Sequence, residues 1–277
     1  MENAAGRPCD GDPGETGRRR TMTKPSASCG VAVMAKASAA GRTKTRLVPP
    51  LTYDEAAALN TAFLKDIAEN IQSATQTSIA GYFAFGPPGS SAFFHDRVDA
   101  RMALFEAWLP DFGDCLHFTI SELLRRGHAG AIVLNADSPT LPTALLIEAA
   151  DVLTRPGDRA VLGPAEDGGY YLLGLKRAHR HMFEDIAWST SRVADQTMER
   201  ARALGLELHV LTPWYDVDNT DSLRRLHREL ADGRPFDPLL PPYRAAHTRE
   251  RMKTMRREAA LARRLGGIAL EDAESCS

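Results

Sequence analysis

The chain is poor in the features that mark several common protein classes. No apolar run in its 277 residues approaches the length of ~20 that spans a bilayer, so no membrane-crossing helix is expected. Its four cysteines, Cys9, Cys29, Cys115 and Cys276, are scattered and form no CxxC pair. That spacing argues against a zinc site or a disulfide framework and fits a reducing, cytoplasmic setting. The formal net charge is only -2, so bulk electrostatics predict no nucleic-acid partner. Neither GxGxxG nor a Walker A loop is present: the order Gly41-Arg42-Thr43-Lys44-Thr45 lacks the Gly-Lys-Ser/Thr end that a phosphate loop requires. No internal repeat is visible, and no histidine stands beside the motifs described below.

What is present is a hydrophobic fraction of 43% and a charged fraction of 25%, the profile of a globular chain long enough for one large α/β domain or two small ones. Residues 1–28, rich in Gly, Pro, Ser, Thr and Arg, have little to bury and are expected to be disordered. Arg18–Arg20 and the small residues of Ala35–Ala40 suggest an export signal, but the apolar stretch Val31–Ala35 is shorter than a signal core of ~7–15 residues and ends at Lys36. From residue 29 to 233 strands and helices alternate. Strands are expected at 31–35, 78–85, 131–135, 160–162, 170–175 and 207–211. Helices are expected from Thr52, where Thr52 and Glu55 form a capping box, and at 97–109, 114–126, 142–153, 189–204 and 220–230. Such alternation implies a mostly parallel sheet with helices on both faces, where ligands bind past the carboxyl ends of the strands. Residues 234–277 read as a linker, "PFDPLLPPY", and a basic helical tail. Met252, Met255, Ala259 and Ala262 share one face of that tail, which is expected to be a solvated helix; a second copy of the chain is the alternative partner for that face.

The strand ends carry the chemistry. After the first strand, "KASAAGRTKTRL" offers a glycine for close backbone approach and two cations, Lys44 and Arg46, suited to phosphate oxygens; a solvated basic loop is an equal reading. Asp137 in "NADSP" suits Mg²⁺ or caps a turn before Pro139. In "EDGGYYLL", Gly168 and Gly169 permit a close approach or a hairpin turn, and Tyr170 and Tyr171 are expected to split between core and cleft. Asp216 and Asp218 share a face if extended, one capping the next helix and one meeting a ligand. Ser189 or Thr190 in "WSTSRV" is a candidate helix cap or anion contact.

Five segments in this order, "VMAKASAAGRTKTRL", "NADSPTLP", "LGPAEDGGYYLLGL", "WST" and "PWYDVDNTDSL", resemble the selenodomain-associated (radical-SAM-associated) transferase 1 family, a GT-A superfamily family of unknown function. More distantly the chain is similar to 2-phospholactate guanylyltransferases. The resemblance covers about residues 30 to 231. It implies a GT-A-like nucleotide-diphospho-sugar transferase fold and a divalent metal, Mg²⁺ or Mn²⁺. Lys44 and Arg46 would meet phosphates, Asp137 and Asp218 would hold the metal, and Lys44, Arg46, Asp137 and Asp167 are the candidate catalytic residues. Lys36, Gly41, Gly168, Gly169, Tyr170, Ser189 and Thr190 would line the substrate site. The expected substrates are a nucleotide (an NTP or NDP-sugar) and a small acceptor. Two departures stand out. Asn135-Ala136-Asp137 replaces the Asp-x-Asp of GT-A glycosyltransferases, which leans towards nucleotidyl transfer. Cys115 in "DFGDC" stands where relatives often carry an arginine.

Overall fold

In a computed structural model of the chain, residues 28–74, 78–98 and 102–257 are described. The expectation for residues 1–28 therefore lies almost wholly outside the described part. Seven strands, β1 (Cys29–Lys36), β2 (Ile79–Gly86), β3 (Ala103–Glu106), β4 (Gly130–Leu134), β5 (Arg159–Pro164), β6 (Tyr170–Leu175) and β7 (Glu207–Val210), form one sheet in the order β3-β2-β1-β4-β6-β5-β7. All neighbours run parallel except β6, which is antiparallel to both β4 and β5. The helices are α1 (Tyr53–Ser73), the single turn α2 (Ser91–Phe93), α3 (Phe112–Arg125), α4 (Thr143–Thr154), α5 (Val193–Ala203), α6 (Thr220–Asp232) and α7 (Ala246–Arg257). This is the α/β, mostly parallel architecture that the alternation implied.

Period-two alternation divides the core into two layers. Along β1, Val31 and Val33 face one side with Phe63, Phe83, Ile132 and Leu145, under α1 and α4. Ala32 faces the other side with Ala84, Ala131, Leu116 and Ile120, under α3. The small alanines there let α3 lie close to the sheet. The capping box at the start of α1 forms as expected: the Glu55 N–H donates to the Thr52 hydroxyl, and the Thr52 N–H donates to the Glu55 carboxylate.

Three expectations are corrected. Residues 103–106 form the edge strand β3 rather than part of a helix, because pairing with β2 supplies backbone partners that local spacing does not reveal. The helix expected from Ser189 begins only at Val193. Ser189 has a left-handed φ of 63°, and the Thr190 hydroxyl donates to the Ala187 carbonyl, so the segment is a folded loop. The tail helix α7 is not simply solvated. Met252 and Met255 are buried in the α1-side core, and both oxygens of buried Asp66 on α1 accept backbone N–H groups at its start, from His247 and Thr248.

Chain direction sets the site. From β1 the chain passes through α1 to β2 on one side, while β4 lies on the other. The crevice past the carboxyl ends of β1 and β4 is the switch point of the sheet, where open α/β folds bind ligands.

A candidate active site at the switch point of the sheet

The loop after β1 turns at Gly41 (φ 72°) and runs through Lys44, which adopts the left-handed region at φ 51°. The buried Thr43 hydroxyl donates to the Ala39 carbonyl and accepts the Ala39 N–H, which fixes the loop. This geometry sends the Lys44 side chain inward. Its ammonium lies 2.6 Å from Asp137 Oδ1 and 2.8 Å from Asp218 Oδ1, and donates to the Val217 carbonyl at 2.8 Å. Burial alone would depress this lysine, but Asp137 and Asp218 more than offset it and hold its pKa above the ordinary value, so the ammonium stays charged.

The carboxylates arrive from two segments tied to each other. Asp137 follows β4 and Asp218 precedes α6, and the Val217 N–H donates to the Asp137 carbonyl at 2.9 Å. The Ser138 hydroxyl donates to the Tyr215 carbonyl. Asn219, rather than either aspartate, is the N-cap of α6, accepting from the Asp221 and Ser222 N–H groups. Capping therefore makes no demand on either neighbouring aspartate, and Asp216 joins Asp218 in the cleft. Sequence reasoning had noticed the shared face but assigned a ligand to only one of the two. The Asp216 carboxyl is pushed up to about 7, first by burial and then by Asp218, Asp167 and Asp137.

Two cavities meet here. The smaller, about 290 Å³, is basic: Lys36, Arg42, Lys44 and Arg46 line it. The larger, about 430 Å³, is bounded by Arg46, Asn135, Asp137, Asp167, Gly169, Tyr170, Ser189, Thr190, Asp216 and Asp218, with an apolar wall including Phe112, Leu116 and Trp188. Met34, Arg46, Ala136, Asp137 and Asp218 border both. At the border Asp137 and Asp218 stand beside Lys44 and Arg46, and Asp167 and Asp216 add two further carboxyl groups on the side of the larger cavity. Two of those carboxylates already converge on one cationic group. That donor set fits a hard divalent cation, which takes a few carboxylate oxygens and completes its shell with water and substrate phosphate.

Most predicted residues are thus brought together, in different capacities. Gly41 and Gly168 shape loops and line neither cavity. At Gly168 (φ 88°) a Cβ would stand 2.1 Å from the Ser191 carbonyl oxygen, so glycine is what lets the hairpin meet the 188–191 loop. The Gly168 carbonyl accepts the Ala194 N–H at the start of α5, and Asp167 Oδ1 accepts the Gly169 N–H. The hairpin reading of "EDGGYYLL" holds, since β5 and β6 pair antiparallel across this turn, and Asp167, Gly169 and Tyr170 border the larger cavity. The tyrosines face opposite layers of the core, Tyr171 on the α1 side with its hydroxyl donating to the Thr212 carbonyl and Tyr170 on the α3 side, but both border the larger cavity rather than splitting between core and cleft. Cys115 engages only its own loop, with Sγ accepting the Leu109 N–H. Phe112 had no signal in the sequence, and Trp188 appeared only as part of a quoted motif. A separate group able to hold a metal, Asp66, Glu69 and His247, lies between α1 and α7 away from the cleft, with Asp66 already engaged by two backbone donors.

With this geometry in hand, known proteins offer a frame. A family model described as "Uncharacterized protein conserved in bacteria (DUF2064)" matches residues 69–190. No curated protein matches the chain significantly. Among solved structures, a nominal nucleotide-diphospho-sugar transferase from Desulfovibrio desulfuricans G20 is similar at a TM-score of 0.70 and 22% identity, over 86% of this chain and 98% of that one. A CMP:2-keto-3-deoxy-manno-octonic acid synthetase complexed with CTP aligns at 0.49 and 10% identity, over 75% of this chain and 100% of that one. A 4-diphosphocytidyl-2C-methyl-D-erythritol synthase from Anaerococcus prevotii DSM 20548 aligns at 0.49 and 9%, over 74% and 96%. The first of these shows the fold: the chain shares its mostly parallel α/β architecture with that nominal nucleotide-diphospho-sugar transferase.

Proposed function

We propose that the chain is a metal-dependent transferase acting on an activated nucleotide, and specifically a nucleotidyltransferase that joins an NTP to a phosphorylated acceptor and releases pyrophosphate. The observation that carries this reading is the convergence of Asp137 and Asp218 on one cationic group, Lys44 Nζ, at 2.6 and 2.8 Å, where a basic cavity meets a larger one. The basic cavity takes the nucleotide phosphates, with Lys36, Arg42 and Arg46 around them. The larger cavity takes the acceptor. Asp137 and Asp218 would hold Mg²⁺ or Mn²⁺, and a bound metal supplies Lewis-acid stabilisation of phosphate charge.

An acceptor phosphate oxygen attacks the α-phosphorus. The new O–P bond forms as the bond from the α-phosphorus to the bridging oxygen breaks, and the electron pair leaves with pyrophosphate. The nucleophile is already anionic, so no proton need be removed, which accords with a cleft whose lining contains no histidine. Arg46, at the border of both cavities, and Lys44 balance charge on the leaving group.

Asp216 favours a second reading. A carboxyl lining the larger cavity and titrating at about 7 is suited to take a proton from an acceptor hydroxyl, as a glycosyltransferase using an NDP-sugar requires. Product analysis separates the two. Pyrophosphate release from an NTP, in a Mn²⁺-dependent reaction, supports nucleotidyl transfer. Release of free NDP from an NDP-sugar overturns it in favour of glycosyl transfer.

A further inference from the structure

The two carboxylates that converge on Lys44 sit on separate loops, and the groups that join those loops lie behind them. The 214–218 segment is laced to the 137–140 loop at three points. The Val217 N–H donates to the Asp137 carbonyl at 2.9 Å, the Ser138 hydroxyl to the Tyr215 carbonyl at 2.9 Å, and the Thr140 hydroxyl to the Tyr215 hydroxyl at 3.1 Å. The first two bonds reach the backbone of the 214–218 segment and make no demand on its side chains. The third needs the tyrosine hydroxyl, and it continues. That hydroxyl donates to Glu229 Oε2 on α6 at 2.5 Å, and Glu229 Oε1 accepts the Phe236 N–H at 3.0 Å. The Phe236 ring packs on Trp214 and Tyr215 with centroids 5.0 and 5.2 Å away, and the Tyr243 N–H donates to the Thr140 carbonyl at 3.0 Å. The segment after α6 thus returns to both carboxylate-bearing loops.

Glu229 is the member that packing does not explain. It is only 4% exposed, and its two hydrogen-bond partners are both neutral. Burying a carboxyl costs free energy that an apolar residue would not. The helix already buries Leu223, Leu226 and Leu230, so Glu229 is not needed to seat it. What the carboxyl adds is direction. A hydrogen bond restricts the Tyr215 hydroxyl in distance and angle, whereas apolar contact is non-directional.

We infer that Tyr215 and Glu229 are positioning residues: the chain Thr140–Tyr215–Glu229–Phe236 sets the separation of Asp137 and Asp218 and makes the segment after α6 part of the cation site. This rests on the reading of Asp137 and Asp218 as metal ligands and adds the groups that hold them in place. None of the four lines either of the two cavities that meet at Lys44, so they act through the loops. A hard cation takes its oxygens within a narrow range of distances, and partners behind the ligands tune its affinity.

The experiment measures Mn²⁺ affinity from the electron paramagnetic resonance signal of the free ion, counting only the binding that Asp137→Ala removes. That excludes Mn²⁺ held elsewhere, as by Asp66, Glu69 and His247. Tyr215→Phe keeps the ring but strands Glu229 Oε2, so both Tm and Mn²⁺ affinity should fall. Adding Glu229→Gln removes the stranded charge while the glutamine oxygen still accepts the Phe236 N–H, so much of the Tm should return. Affinity should nevertheless stay about tenfold below wild type in the single and the double variant, measured where each is folded. Thr140→Val breaks the cross-loop bond without stranding a charge and should also weaken Mn²⁺ binding, by about threefold or more. A network that only stabilises the fold would let affinity recover with Tm. Wild-type Mn²⁺ affinity in the folded double variant, or in Thr140→Val should the double variant not fold, overturns the proposal. Each of these failures leaves the wild-type Mn²⁺ site standing. A wild-type chain with no Mn²⁺ binding that Asp137→Ala removes is a separate result, which sinks the metal-site reading itself and this inference with it.

Discussion

Replacing Lys44 by methionine removes the cation between Asp137 and Asp218 and keeps most of the side-chain volume. Deleting one partner of a buried ion pair costs about 3–5 kcal/mol. Here the ammonium is buried but the carboxylates are 31% and 35% exposed, so water screens part of the loss. A cost of about 2 kcal/mol follows, or about 4–8 °C in Tm for a domain of this size. The same change leaves two carboxylates facing an unfilled position. A ligand at a hundredfold excess over its Kd returns about 2.7 kcal/mol, so Mn²⁺ should restore the Tm of Lys44→Met. The recovery should exceed the gain that Mn²⁺ gives the wild type, where the ammonium competes for the same oxygens. Turnover should nevertheless fall about 10²–10³-fold, as when one charge-stabilising donor is removed from a transfer site. The assay is thermal unfolding with and without Mn²⁺, with Mg²⁺ and NaCl as controls. A metal-induced shift no larger in Lys44→Met than in the wild type would refute the idea that Lys44 stands at a cation position.

Two other substitutions probe how the site is supported. Gly168→Ala places a methyl group 2.1 Å from the Ser191 carbonyl oxygen at φ 88°; it should cost about 1–3 kcal/mol and push the 188–191 loop away, lowering turnover at least about tenfold, and unchanged turnover would show that the loop plays no part. Asp66→Ala removes the acceptor for two backbone donors at the start of α7. Hydrogen exchange should then show α7 amides losing protection by about tenfold or more (about 1.4 kcal/mol) while β1 and β4 keep theirs, and equal protection would mean that packing of Met252 and Met255 suffices.

Features encoded within a few residues were legible beforehand. The Thr52–Glu55 box and the hairpin at Asp167–Gly169 are local hydrogen-bond patterns, and each forms where the residue types indicated. The carboxylates after β4 and before α6 were identified as candidates because position past a parallel strand already predicts a cleft. What stayed hidden depends on distant contacts. Lys44 donates to Asp218 across 174 residues, and nothing in either segment says that the lysine turns towards the acids rather than outwards. The edge strand β3 exists because β2 offers it a ladder. Ser189 and Thr190 have the composition of a helix cap, yet the Thr190 hydroxyl satisfies the Ala187 carbonyl instead, and the helix starts later. In α7 the apolar face was visible, but its docking against α1 depends on Asp66, some 180 positions earlier.

The central claim is that Asp137 and Asp218 form the cation-binding centre of a nucleotide site. Calorimetric titration of a panel of NTPs and NDP-sugars, with and without Mn²⁺, into the wild type and Asp137→Ala tests it most directly. The account predicts that at least one nucleotide binds the wild type only with the metal, and that Asp137→Ala, still folded by its Tm, weakens this binding by at least about a hundredfold (about 2.7 kcal/mol). Undiminished metal-dependent binding in Asp137→Ala would contradict it.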